Sequence, residues 1–388
     1  MKIVLAIDSF KGSLTSFEAE EAVALAIAQR FPTATVNRIP IADGGEGTLS
    51  VLLHTSLGSY RHLQAHNPCM EIITTQYGIA GDGQTAYIEM AAISGLPLIR
   101  EEQKNPMKST TFGTGELILD ALSQGCRTFI IGIGGSATND AGTGMLLALG
   151  YRFYDKEGHE LGTGGEILSK ITRIDETHRH PSLKESRFIV ACDVQNPFYG
   201  PQGAAHVFAR QKGADDAMIT ELDEGMRAFA HIIHQHTGKD ISQLPGSGAA
   251  GGLGGCLAAF LNATLQSGAD LLLDASHFEA RIQDADLVIT GEGKIDRQSL
   301  MGKITGKILE RASQLGIPVL AFAGQAEDIP ALKKAGFQDI FPITPSGILP
   351  SEEDLKPENA REKLQQTAKK HLSGKGIPIK VDNFAYLK

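Results

Sequence analysis

Short apolar runs alternate with amphipathic stretches at both ends of the chain. Residues 3–7 are an unbroken apolar run. In residues 15–30, Phe17, Ala22, Leu25 and Ile27 recur between charged positions. A second extended segment spans 33–40, and a second helical pattern spans 46–55. The pattern predicts strand, helix, strand, helix. It returns near the C-terminus, with strands at 285–290, 317–323 and 340–343 and helices at 300–314, 329–335 and 358–372. Apolar strands joined by helices predict a parallel, doubly wound sheet. Two N-terminal and three C-terminal strands would form one five-stranded α/β domain, residues 1–58 plus 285–388. Residues 59–284 would be a second α/β domain inserted into it.

The middle of the chain has a different pattern. Residues 71–77 and 84–91 read as paired strands around Gly81-Asp-Gly83. A loop-to-helix unit comes next at 110–122, then a strand at 129–131 and a helix at 145–149. Further strands are expected at 151–154 and 187–191, and a long amphipathic helix at 214–235. A glycine-rich loop, 246–255, feeds a helix at 256–265. The last sixteen positions, 373–388, are polar with little period.

Bulk composition narrows the class. The 388 residues suggest two or three domains. Hydrophobic residues at 42% and charged residues at 21% describe an ordinary globular chain. The net charge of −9, without a basic stripe, argues against a nucleic-acid partner. An anionic substrate must then be held by a few local lysines or arginines and by backbone amides. Cys69, Cys126, Cys192 and Cys256 lack metal-type spacing, and three border apolar runs. Free thiols are expected, as in a reducing cytoplasm. No apolar run approaches the roughly 20 residues of a membrane span. The first run is too short for a signal peptide. The chain is expected to be cytoplasmic, with no membrane partner.

The densest candidate chemistry lies at 128–144. An apolar strand runs into Gly132, Gly134 and Gly135, then Ser136, Thr138, Asn139 and Asp140, and then a helix. A glycine loop at a helix start aims free N–H groups at one spot, which suits a phosphate or carboxylate. The hydroxyls and Asp140 can orient a substrate or, through water, Mg²⁺. The competing reading is helix capping. Gly132-x-Gly134-x-x-Ala137 also matches a dinucleotide fingerprint, with Asp155 near the position of its ribose-binding acid. That fingerprint belongs on the first βα unit of a domain, and Asp155 reads as part of a hairpin turn. Strand ends of the outer sheet carry Asp8-Ser-Phe-Lys-Gly-Ser-Leu14, Ala42-Asp-Gly-Gly-Glu-Gly-Thr48 and Gly291-Glu-Gly-Lys-Ile-Asp-Arg-Gln-Ser299. Acid, lysine and glycine together suit polyphosphate–Mg²⁺ chemistry. Asp193 ends the apolar run 188–191. No G-x-x-x-x-G-K-[ST], H-E-x-x-H or G-x-S-x-G occurs.

Together with Gly113-Thr-Gly-Glu116, Asn196-Pro197, Gln211-Lys-Gly-Ala214 and Gly302-Lys303, these strings span nearly the whole chain in order. The set resembles the bacterial glycerate kinase family of the two-domain α/β type. Small departures are Ala141, Arg210 and Ser247, none of which removes a charge. The resemblance implies ATP-dependent phosphorylation of D-glycerate to 2-phosphoglycerate or 3-phosphoglycerate. It also implies a flavodoxin-like domain holding an insert similar to a restriction-endonuclease core, and an oligomer is possible. The active site is then expected in the cleft between the domains. Gly134, Gly135, Ser136 and Thr138, beside Asn139 and Asp140, would cradle an ATP phosphate or the glycerate carboxylate. Lys11, Lys212 and Lys294 are candidates for the transferring phosphate, with Ser299 counted among the binding residues. Asp43 and Asp296 would hold Mg²⁺. Asp193 would accept the hydroxyl proton, with Asp8 second. Two other classes stay open: a dehydrogenase using the Gly132 loop, and a non-catalytic sensor of phosphorylated acids.

Overall fold

The computed structural model describes residues 1–42, 47–345 and 347–372; the expected metal ligand Asp43 and the polar tail lie outside them. The chain divides into two compact units, Met1–Val51 with Ala269–Lys388, and Leu52–Gly268. These limits differ from 58/59 and 284/285 because of three helices. Thr48–Thr55 is divided at Val51. Gly268–Ala275 and Phe278–Ile282 bury Ala269, Leu273, Phe278 and Ile282 in the core of the first unit.

The first unit holds five strands in the spatial order Asp339–Pro342, Val319–Ala326, Leu287–Ile295, Lys2–Ile7, Thr35–Arg38. Every pair is parallel. Numbered within the unit the order is 2-1-3-4-5, the flavodoxin-like doubly wound arrangement. The pleat explains the unbroken apolar run. Ile3, Leu5 and Ile7 face one core with Val23 and Ile27 of helix Ser16–Arg30 and Leu364 of helix Pro357–His371. Val4 and Ala6 face the other, with Leu273, Phe278, Ile308 and Leu332. Both faces are covered, so both must be apolar. Helix Ser16–Arg30 starts where the sequence supplies a capping box. Thr15 Oγ1 accepts the Glu18 N–H at 3.3 Å, and the Glu18 carboxylate accepts the Thr15 N–H at 2.9 Å.

The second unit is built on a six-stranded mixed sheet. Its order is Thr264–Gln266, Arg187–Ala191, Thr128–Gly132, Thr85–Glu89, Ile72–Ile79, Ser59–His66. The first four strands are mutually parallel; the last two are antiparallel additions. The edge strand Ser59–His66 has no counterpart among the elements expected from the sequence. Most of its side chains are exposed or half-buried, so its apolar signal is faint. A small hairpin, Arg152–Tyr154 with Arg173–Asp175, stands apart. The register of the parallel strands aligns their ends: Glu89 pairs with Gly132, and Gly132 with Ala191. Cys126, Cys192 and Cys256 are buried free thiols and Cys69 is exposed. No helix among the described residues is long and apolar enough to cross a membrane.

One ionic hub ties the helices of the first unit together. Arg311, with a side chain 13% exposed, reaches Asp270 at 2.9 Å, Asp274 at 2.8 Å and Glu279 at 2.7 Å. Those hydrogen-bonded carboxylates hold its guanidinium pKa above the ordinary value against the opposing effect of burial. Arg311→Met leaves three carboxylates facing one another. It should lower unfolding free energy by about 2 kcal/mol in urea titrations at neutral pH. An unchanged midpoint would show that the hub does not stabilise the unit.

Candidate active site

In the second unit, strand Thr128–Gly132 runs into a loop that reaches helix Thr143–Ala148. Gly134 and Gly135 are exposed, while Ser136, Thr138, Asn139 and Asp140 are buried. Gly135 has φ +72°, which lets the loop turn back. Its carbonyl accepts the Leu96 N–H at 2.9 Å. The N–H groups of Gly134, Gly135 and Ser136 donate none of the described hydrogen bonds. Ser136 Oγ accepts the Thr138 N–H at 3.0 Å and lies 3.1 Å from Thr138 Oγ1.

Lys212 comes to this loop from a distant 3₁₀ turn, Arg210–Lys212. The adjoining Gly213 has φ +95°, and a Cβ there would sit 2.4 Å from the Lys104 carbonyl oxygen. Only glycine fits there. Lys212 Nζ donates to the Thr138 carbonyl at 2.6 Å and lies 3.5 Å from Ser136 Oγ. The residue is 2% exposed. Burial pushes its ammonium down to about 7, while the charge of Asp140 pulls the other way. The buried ammonium thus lies close to the exposed Gly134 and Gly135, whose N–H groups donate none of the described hydrogen bonds.

The other expected residues of this unit take different places. Asp140 caps rather than faces the opening. Its carboxylate accepts five hydrogen bonds: Thr110 Oγ1 at 3.3 Å, Thr111 N–H at 2.7 Å, Thr111 Oγ1 at 2.8 Å, Gly142 N–H at 3.0 Å and Gly144 N–H at 3.2 Å. At 0% exposure it meets no solvent, so it orients the loops and not a ligand or Mg²⁺. Asn139 is likewise wholly buried: its Nδ2 lies 3.3 Å from Met226 Sδ, and its Oδ1 has no partner. Asp193 is exposed and accepts the Gly268 N–H at 2.9 Å. Since Gly132 pairs with Ala191, Gly134 and Asp193 each lie two residues past a paired position on adjacent parallel strands. Glu89, opposite Gly132, brings a further acid to that edge. Its one signal in the sequence is an acidic residue closing an apolar strand, which carries no motif.

The first unit has its own cavity, about 370 Å³, at the carboxyl ends of the parallel strands. Asp8, Lys11 and Lys294 line it together. So do Glu292, Lys303 and Lys363, to which the sequence alone assigns no role, and the apolar Ile343, Leu355 and Ala360. Strand backbones crowd at its floor: a Cβ on Gly324 would sit 2.3 Å from the Gly293 carbonyl oxygen. Lys294 pairs with Glu327 at 2.9 Å, and Lys363 pairs with Asp354. Glu292 accepts from Thr305 Oγ1 at 2.6 Å and lies 3.9 Å from Lys303 Nζ. Burial raises its carboxyl above the usual range. Asp296 and Ser299 are not among the lining residues. They form a capping box: Asp296 Oδ1 accepts the Gln298 N–H at 2.8 Å, and Ser299 Oγ accepts the Asp296 N–H at 3.2 Å.

The dehydrogenase reading finds no support in the geometry. Asp155 accepts the Glu157 N–H at 3.0 Å and the His159 N–H at 2.9 Å within its own exposed turn. Among the described residues, the cluster of acids and histidine close enough to share an ion is Asp155, Glu157 and His159, in that same turn and in none of the strand-end loops.

Comparison with known proteins places the chain. The model of the glycerate kinase family matches residues 3–373. A glycerate 2-kinase of Escherichia coli (strain K12) is 44% identical over 89% of this chain and 91% of its own length. A glycerate kinase of Bacillus subtilis (strain 168) is 44% identical over 95% of this chain and 96% of its own. A crystal structure of a candidate glycerate kinase 2 from Salmonella typhimurium LT2 superposes with TM-score 0.87 at 40% identity, covering 96% and 97% of the two chains.

The buried ammonium has a thermodynamic signature. Lys212 titrates near 7 when folded, against an ordinary lysine value of 10.5. Between those values the unfolded chain binds more protons, so this group makes stability rise with pH across that window. Below about 7 the cost of burying the charge is present in full. Urea titrations from pH 7 to 10 should show a smaller upward slope for Lys212→Met than for the unaltered chain. Parallel slopes would mean that Lys212 is not a depressed, buried cation.

Proposed function

Because the chain belongs to the glycerate kinase family, a phosphotransferase family acting on an alcohol group, we propose that it moves the terminal phosphoryl group of ATP to a hydroxyl of D-glycerate. 2-Phosphoglycerate is the favoured product, since one relative at 44% identity is a glycerate 2-kinase. The observation that carries this reading is Lys212 Nζ, buried and 2.6 Å from the Thr138 carbonyl, beside the open amides of Gly134 to Ser136. That receptor has one cation and a few N–H donors, which suits a single carboxylate better than a triphosphate.

The cavity of the first unit suits the nucleotide. Lys11, Lys294, Lys303 and Lys363 offer point charges for phosphates, and Ile343, Leu355 and Ala360 offer an apolar wall for a base. Phosphoryl transfer asks the protein mainly to position its partners and to neutralise charge. Asp193, exposed at the strand edge beside the receptor loop, is the residue we assign to accept the hydroxyl proton; Asp8 is the alternative. Glu292, a largely buried hard-oxygen donor on which the charge of Asp296 acts, is the residue that would hold Mg²⁺. A cation there would offset both burial and repulsion, and would supply charge neutralisation on the phosphates.

The test is ADP release by the purified chain with ATP, Mg²⁺ and D-glycerate, with ³¹P NMR of the product. Turnover with a phosphorus signal on the middle carbon of glycerate is expected. Lys212→Ala should lower kcat/KM by roughly 10² through loss of acceptor binding, and Asp193→Asn should lower kcat by roughly 10². Binding of phosphoglycerate without any ADP release would instead favour a sensor. Normal turnover in both variants would reassign both residues.

A further inference from the structure

Two opposite charges lie buried in the second unit without touching. Lys212 is 2% exposed and Asp140 is 0% exposed. Among the described ion pairs, neither residue has a partner within 4.0 Å. The lysine donates to the carbonyl of Thr138, two residues before Asp140. The carboxylate is held instead by three backbone N–H groups and two hydroxyls. The three N–H groups cannot accept a proton from an acid. Both hydroxyl oxygens are already engaged, Thr111 Oγ1 with the Met145 N–H at 3.0 Å and Thr110 Oγ1 with the Phe112 N–H at 3.2 Å. Burial raises the Asp140 carboxyl above its usual range, but three of its five partners are backbone N–H groups that can only donate, which favours the ionised form.

We infer that Asp140 is a positioning residue that favours the charged form of Lys212 in the free receptor, acting across the intervening loop, so that the cation stays open to the carboxylate of the acceptor. Direct contact would have occupied the ammonium in an ion pair, and an incoming anion would then have to displace the carboxylate. Separation keeps the attraction and leaves the donor available. The inference rests on the reading of this loop as the acceptor's carboxylate receptor.

Other titratable groups nearby do not substitute for Asp140. Cys256 is wholly buried, and burial together with Asp140 holds it as a neutral thiol. Lys104, beside Gly213, is bridged to Glu101 at 2.5 Å. Arg210, in the same turn as Lys212, is paired with Asp216. Asp223 of the long helix lies 3.6 Å from Arg227 and 4.0 Å from His206.

The experiment is NMR titration of the full chain labelled in its lysine side chains, with the Lys212 signal identified by its loss in Lys212→Met. In the unaltered chain that signal should titrate near neutrality. Asp140→Asn should move its midpoint to lower pH, and D-glycerate should move the unaltered midpoint upward. Kinetically, Asp140→Asn should raise KM for D-glycerate at pH 7.5 by about tenfold per unit of midpoint lost, and the gap should close towards pH 6 with kcat less affected. A merely structural role would lower activity alike at every pH. Thr111→Val removes one donor and keeps the carboxylate, so it should move the midpoint the same way by less; it serves if Asp140→Asn does not fold. An unmoved Lys212 midpoint in the folded variants overturns the inference. A midpoint that responds to Asp140→Asn but not to D-glycerate overturns the receptor reading alone.

Discussion

Parallel strand pairing is the constraint on which the arrangement depends. A parallel sheet covered on both faces admits polar groups only where its strands end. The central strands of the first unit, Lys2–Ile7 and Leu287–Ile295, are buried along their sheet segments and turn polar at Asp8 and Glu292. In the second unit the parallel strands Thr85–Glu89, Thr128–Gly132 and Arg187–Ala191 end together at Glu89, the Gly134 loop and Asp193. Chemistry gathers at these edges because burial excludes it elsewhere.

Three buried ionisable groups illustrate three ways of holding charge out of water. Glu20 is fully buried within helix Ser16–Arg30, with Arg38 at 3.5 Å and one oxygen lacking a partner. Burial raises its carboxyl to about 8. Asp140 is enclosed by neutral donors, which favour the ion. Lys212 has only a carbonyl and a distant hydroxyl as partners. It stands close to the Gly134–Ser136 amides, which donate none of the described hydrogen bonds.

How much of the molecule is legible in its sequence depends on the type of signal. Three of the five strands of the flavodoxin-like sheet are readable as short apolar runs, while Thr35–Arg38 carries only one apolar residue and is read from its place between two helical patterns. The Thr15–Glu18 cap and the strand-to-loop passage at Gly132–Gly135 are readable from local chemistry. Asp140 and Asp296 are not assignable from their neighbours alone. A capping acid and a binding acid look alike in sequence, and only the direction of the surrounding N–H groups separates them. Ser59–His66 escapes detection because an edge strand needs little apolar surface. Lys303 and Lys363 come to the cavity of the first unit from separate helical segments, which no local pattern reports. Lys212 stands out by resemblance. Its burial against Thr138, seventy-four positions earlier in the chain, is a long-range contact that no local pattern reports.

The split composition of the first unit has a consequence for biosynthesis. Its central strand, Lys2–Ile7, is translated nearly 300 positions before its neighbour Leu287–Ile295. At roughly 5–20 residues per second the opening apolar segment must wait tens of seconds for that neighbour. The insert, contiguous in sequence, can be completed meanwhile. Nascent chains of this architecture therefore expose one sticky strand throughout elongation, and the rate of translation through the insert sets how long it needs shielding.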